Sequence, residues 1–178
     1  MLINILIVSL TLVISYFVIC YFKIKTKEKS IDISRDEIFN ATDKRFTIFQ
    51  KILEEFKNPA DYELTFINEI IKIRSQSQKY INENRYKDSI SQELKINKII
   101  DSIDELFKAT NHFDIIDEEK KKEYSVSLKL LNKEIEEKTK GYNNIVQNYN
   151  KTKMSSFLGF FMLFFGKFFQ KADLFNIK

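Results

Sequence analysis

The chain has 178 residues, 44% of them apolar, so one domain with an appendage can bury a core. Three glycines and one proline argue against a loop-rich β-sandwich and for long helices. A net charge of +4 is too mild for a nucleic-acid stripe. One cysteine (Cys20) and one histidine (His112) exclude a disulfide framework and a His/Cys zinc cluster, and no glycine-rich phosphate loop is present.

Residues 2–22 are apolar apart from Asn4, Ser9, Thr11 and Ser15 and carry no charge. As a helix they span about 30 Å, the thickness of a bilayer core. There is no basic segment before the run and no small-residue cleavage pattern after it, so we read 1–22 as a retained transmembrane helix rather than a signal peptide. Lys23, Lys25, Lys27 and Lys29 follow it. They predict an N-terminus outside and the rest of the chain in the cytoplasm. Residues 23–33 read as a basic juxtamembrane linker.

Residues 34–153 carry the pattern of an antiparallel, up-and-down four-helix bundle with long helices, an all-α fold. Ser34 and Glu37 form a capping box, with Ile33 and Ile38 as a hydrophobic staple. Ile38, Thr42, Phe46, Phe49, Leu53 and Phe56 follow at helical spacing. Asn58-Pro59 marks a stop and restart. The second helix carries Leu64, Ile67, Ile70, Ile71, Ile73, Tyr80 and Ile81, and fades near Lys87. Ser89 to Gln92 is a second capping pattern, opening a third helix with Leu94, Ile96, Ile99, Ile100, Ile103, Leu106 and Phe107. Arg74 and Arg85 are each either tethers to a helix-three carboxylate or solvent-facing.

Ala109 to His112 is a turn, and Asp114, Asp117, Glu118 and Glu119 suit a fourth helix N-terminus. Its apolar seam reads Tyr124, Leu128, Leu131, Ile135, Lys138, Tyr142, Ile145, Tyr149, with Lys138 the polar exception. The dipeptide Tyr-Asn recurs one heptad apart, as Tyr142-Asn143 and Tyr149-Asn150. Those four residues are either bundle packing with border hydrogen bonds or a recognition surface. Residues 154–178 form a phenylalanine-rich tail. Phe157, Phe160, Phe161, Phe164, Phe165, Phe168 and Phe169, with Lys167, are too short a run to span a bilayer and either lie at its interface, which apolar residues on every face favour, or fold back to complete the bundle core.

Several of these residues together resemble the LemA family of bacterial membrane-anchored helical proteins. Arg45 ahead of an apolar stripe is similar to the family's first-helix pattern. Glu63, Ile67, Ile70 and Arg74 are similar to its second helix, and Phe113 with the leucines of the fourth helix resembles the stretch before the last motif. Tyr142-Asn143 and Tyr149-Asn150 ahead of a phenylalanine-rich end are the most specific match. Thr139-Lys140-Gly141 stands where the family usually has an arginine before the first Tyr-Asn. The resemblance implies a helical bundle on an N-terminal anchor and no established catalytic activity.

Asp101, Asp104 and Glu105 share a turn but read as a solvated face, and the mixed charges around Lys120, Lys121 and Lys122 read as surface. The expected function is that of a non-catalytic structural or adaptor protein at the inner membrane surface. It has no cofactor, metal, nucleic acid or small-molecule substrate, and its partners are membrane lipid and a protein of unknown identity. The alternative is a self-associating, membrane-organising protein acting on lipid, with Lys138 setting register. A hydrolase using helix-face carboxylates is a remote third reading.

Overall fold

The computed structural model describes residues 2–55, 61–101 and 117–155. Among them the chain forms four helices: α1 (Leu2–Glu55), α2 (Asp61–Asn82), α3 (Tyr86–Asp101) and α4 (Glu118–Ser155). The sequence features placed at Asn58-Pro59, Asp104, Glu105, Ala109 to Asp114 and the tail from Phe157 to Phe169 lie outside the described residues.

The first helix departs from expectation. Residues 23–33, read as a linker, are helical, and the capping pattern at Ser34 lies inside a helix already formed. The cause is visible in the sequence. Ile24, Ile31, Ile38 and Ile52 are all buried and fall on one seven-residue repeat, which runs unbroken through the basic stretch. No glycine or proline interrupts it. Lys25 pairs with Glu28 at 2.8 Å and Arg35 with Asp32 at 3.0 Å, both one turn apart.

The chain divides into two compact units. One takes residues 1–35 and 141–174 and holds the start of α1 and the end of α4. Its described core includes Ile24, Ile31, Tyr142, Val146 and Tyr149. Lys27 Nζ donates to Thr152 Oγ1 at 2.6 Å and to the Asn148 carbonyl at 3.4 Å.

The other unit takes residues 36–140 and 175–178. All four helices feed its core, which clusters Phe49, Ile52, Ile70, Ile73, Ile96, Ile100 and Leu128. Helices α2 and α3 pack on each other. The turn between them is a Schellman motif. The Arg85 N–H donates to the Tyr80 carbonyl at 2.8 Å, and the Asn84 N–H to the Ile81 carbonyl at 3.0 Å. Asn84 sits at φ 58°, the left-handed region that asparagine tolerates better than other side chains. The Arg85 guanidinium lies 4.4 Å from the Tyr80 ring centre, taking the place of the usual apolar contact across this motif. The break therefore falls at Glu83–Arg85, not at the capping pattern of Ser89. Ser89 is inside α3, buried, with its hydroxyl 2.8 Å from that of Ser77. Asn84→Ala is expected to cost about 1 kcal/mol, because alanine keeps the Cβ that crowds the left-handed backbone and loses the short polar side chain that eases it, while Asn84→Gly should be neutral. Thermal midpoints by circular dichroism check both.

Candidate functional site

The isoleucine repeat of α1 has one foreign member. Position 45 lies between Ile38 and Ile52 in the same register, and it is an arginine, 1% exposed. A guanidinium at a core position must find partners on the facing helices, since an unpaired buried charge costs several kcal/mol. Helix α3 supplies most of them. Arg45 Nη2 donates to Glu93 Oε2 at 2.8 Å and to the Glu93 carbonyl at 2.9 Å. Its Nη1 donates to Asn97 Oδ1, and to Asn132 Oδ1 of α4 at 3.0 Å.

The second oxygen of Glu93 is also used. Oε1 accepts from Arg74 Nη1 of α2 at 2.7 Å, and Arg74 Nη2 bonds Asp43 of α1. Arg74 also lies over the Phe46 ring, 5.6 Å from its centre. One carboxylate, itself 1% exposed, thus bridges two guanidinium groups. Asn132 Nδ2 returns a bond to the Asn97 carbonyl at 3.3 Å, and Asn97 Nδ2 donates to Glu136 at 3.3 Å. The result is a polar layer built from α1, α2, α3 and α4. Burial pulls the Arg45 guanidinium below its ordinary pKa, the nearby Arg74 adds to that, and the Glu93 carboxylate opposes it. Both oxygens of Glu93 are engaged by guanidinium groups, so the arrangement is a charge clamp, not a carboxylate free to accept a substrate proton.

The layer also explains where α4 departs from its expected seam. Leu128, Ile135, Tyr142 and Tyr149 are buried as read. Tyr124, Leu131, Lys138 and Ile145 are only half-buried, and the residues one step on, Ser125, Asn132, Thr139 and Val146, are buried instead. Three of those four are polar, so an apolar count passes over them. Lys121 falls on the same stripe and is 7% exposed, not at the surface. Lys138 is not a core residue. It reaches Glu37 at 3.3 Å and Glu134 at 3.7 Å within its own chain.

Of the residues expected to form a recognition surface, Tyr142 and Tyr149 are 5% and 4% exposed. The Tyr149 hydroxyl donates to Glu28 Oε1 at 3.0 Å. Burial, reinforced by this carboxylate, raises its pKa well above the ordinary tyrosine value, so it stays a neutral donor. What reaches solvent from the two pairs is Asn143 and Asn150, each half-buried. Arg74 is the tether to a helix-three carboxylate. Arg85 is exposed and pairs with Asp88 at 2.7 Å and with Glu83 at 3.2 Å. Asp101 is exposed. No group of three or more His, Cys, Asp or Glu placed to hold a metal occurs among the described residues.

The other functional feature is the first part of α1. It is long and apolar enough to cross a membrane, and its apolar side chains point outward, with Ile3 75%, Leu6 67% and Ile19 65% exposed. Ser9 and Thr11 turn their hydroxyls onto the Leu6 and Ile7 carbonyls at 2.9 and 2.8 Å, which lowers the cost of placing them in an apolar medium. Comparison with family models, curated proteins and solved structures gives no match for this chain.

Proposed function

We propose that this is a membrane-anchored, non-catalytic structural or adaptor protein of the LemA kind. In this reading the N-terminus lies outside, and an antiparallel four-helix bundle is held at the inner face of a bacterial cytoplasmic membrane. The observation that carries the reading is α1 itself. Residues 3–22 turn most of their apolar side chains outward, and the same uninterrupted helix then buries an isoleucine repeat. Lys23, Lys25, Lys27 and Lys29 at the junction support the orientation. The short turn at Glu83–Arg85 supports an up-and-down course. Arg45 and Arg74, the two arginines of the resemblance, converge on Glu93, which supports a shared architecture. A clamp of mutually satisfied charges serves to hold a helical scaffold in one arrangement.

The test is in-cell cross-linking from a photoreactive residue at Asn143 or Asn150, read by mass spectrometry. One discrete, stoichiometric protein partner is the expected result. Cross-links confined to its own helices, to other copies or to lipid would replace the adaptor reading with that of a self-associating protein acting on lipid.

A further inference from the structure

An open groove of about 470 Å³ runs between α1 and α4 in the unit formed by residues 36–140 and 175–178. Lys44, Thr47, Ile48 and Lys51 line one side, and Ser127, Leu130 and Leu131 the other. Its floor is apolar, and the apolar surface continues outward. Leu130 is 63% exposed and Val126, one turn before it, 49%. Lys44 and Lys51 are two helical turns apart on the rim, about 10 Å along the axis. Both are exposed, and neither has an ion pair among the described residues. Elsewhere on this unit Lys133 and Arg85 are paired with carboxylates, while Lys72, Lys87, Lys98, Lys122 and Lys140 are exposed without an ion pair among the described residues, so what sets Lys44 and Lys51 apart is their place beside the groove.

We propose that this groove docks an acidic amphipathic helix of a partner protein. This deepens the adaptor reading and rests on it. An open trough with apolar side chains from two helices on its floor can receive one further helix by its apolar stripe. The charge sets the partner's chemistry. Two lysines on the rim of an apolar floor call for Asp or Glu flanking that stripe, at the spacing of one or two turns. A second copy of this chain is the poorer occupant. Its own exposed apolar patch at Val126 and Leu130 is accompanied by Lys122, Lys129 and Lys133, and a symmetric contact would set like charges together.

The test places photoreactive benzoylphenylalanine at the exposed position of Leu130 in the full-length protein in native membranes. Cross-linked peptides are then sequenced. The expected product is a peptide from another protein, apolar at helical spacing and flanked by acids. Its yield should fall about tenfold in the Lys44→Glu/Lys51→Glu variant, because attraction is exchanged for repulsion at two sites. Lys44→Gln/Lys51→Gln, which removes charge without adding repulsion, should fall less. Circular dichroism confirms that both variants keep their helix content. Products limited to lipid or a second copy, a captured peptide without acidic flanks, or a yield indifferent to both variants would each overturn the groove. A partner captured from Asn143 or Asn150 but not from position 130 overturns the groove and leaves the adaptor standing. No partner from any of these positions sinks both.

Discussion

Glu93→Ala is expected to be the most damaging single substitution in the described part of the chain. The side chain accepts from Arg45 through one oxygen and from Arg74 through the other, and both it and Arg45 are 1% exposed. Removing it leaves Arg45 charged in the core, with only amide and carbonyl oxygens for company and a second guanidinium nearby. Breaking a buried pair from one side costs about 3–5 kcal/mol. Since small domains have only about 5–15 kcal/mol in hand, the thermal midpoint should fall steeply or the cooperative transition should vanish. Arg45→Met alone should cost less, because Glu93 keeps Arg74, which is partly exposed and can follow it. The informative variant is the double one. Arg45→Met with Glu93→Met replaces the pair by apolar volume and should recover most of the loss of Glu93→Ala, as buried pairs bring little net stability over well-packed apolar groups. A thermodynamic cycle from circular dichroism melts in detergent would show strong non-additivity between positions 45 and 93. Additive losses would mean that the two side chains do not act as a pair. If the double variant regains stability but shows more than one helical arrangement, the layer's role is register, since only one alignment sets Arg45 opposite Glu93, Asn97 and Asn132.

That layer shows which parts of the structure were legible and which were not. Helix content, the apolar anchor, much of the apolar core and the acidic start of α4 follow from periodicity and end signals. Asp117, for example, accepts from the Glu119 N–H through its side chain, as an N-terminal acid should. Glu93, Asn97 and Asn132 are not legible from local sequence, because a single charged or amide residue in a helix is normally solvated and nothing nearby marks these as different. The signal was present at long range. Arg45 interrupts a seven-residue isoleucine repeat, and Ser125, Asn132 and Thr139 are small polar residues at the same interval on α4. A repeat scored by position and not by hydropathy would have placed Arg45 and Asn132 in the core and required an acid on another helix. Arg74 was legible as a tether only together with its solvent-facing alternative, because choosing needs the α3 partner. The helix through the stretch 23–33 is hidden in the sequence for the opposite reason. Its lysines dominate the composition, while Ile24 and Ile31, which carry the helix through it, are only two residues of eleven.

Membrane attachment should survive one charge in the anchor and fail with two. Between positions 2 and 22 there are fourteen Leu, Ile, Val and Phe residues. At about 0.3–0.6 kcal/mol each, they favour insertion by roughly 4–8 kcal/mol before the polar residues are counted. An arginine near the centre of the span opposes this by about 2.5–3.5 kcal/mol. Leu12→Arg alone should therefore leave most of the protein in the membrane pellet after alkaline carbonate extraction. Leu10→Arg with Ile14→Arg adds roughly 5–7 kcal/mol, comparable with the whole driving force, and should release most of the chain. The two positions are one turn apart on exposed flanks of the helix, so neither change disturbs a buried contact. Circular dichroism of the released protein should retain the helix signal of the remainder, since the described core residues lie beyond the span, from Ile24 onward. Full retention of the double variant would mean that something other than the N-terminal helix holds the protein on the membrane. Release by Leu12→Arg alone would mean that the polar residues Asn4, Ser9, Thr11 and Ser15 already bring the span close to its threshold, despite the hydroxyl bonds that Ser9 and Thr11 make to their own helix.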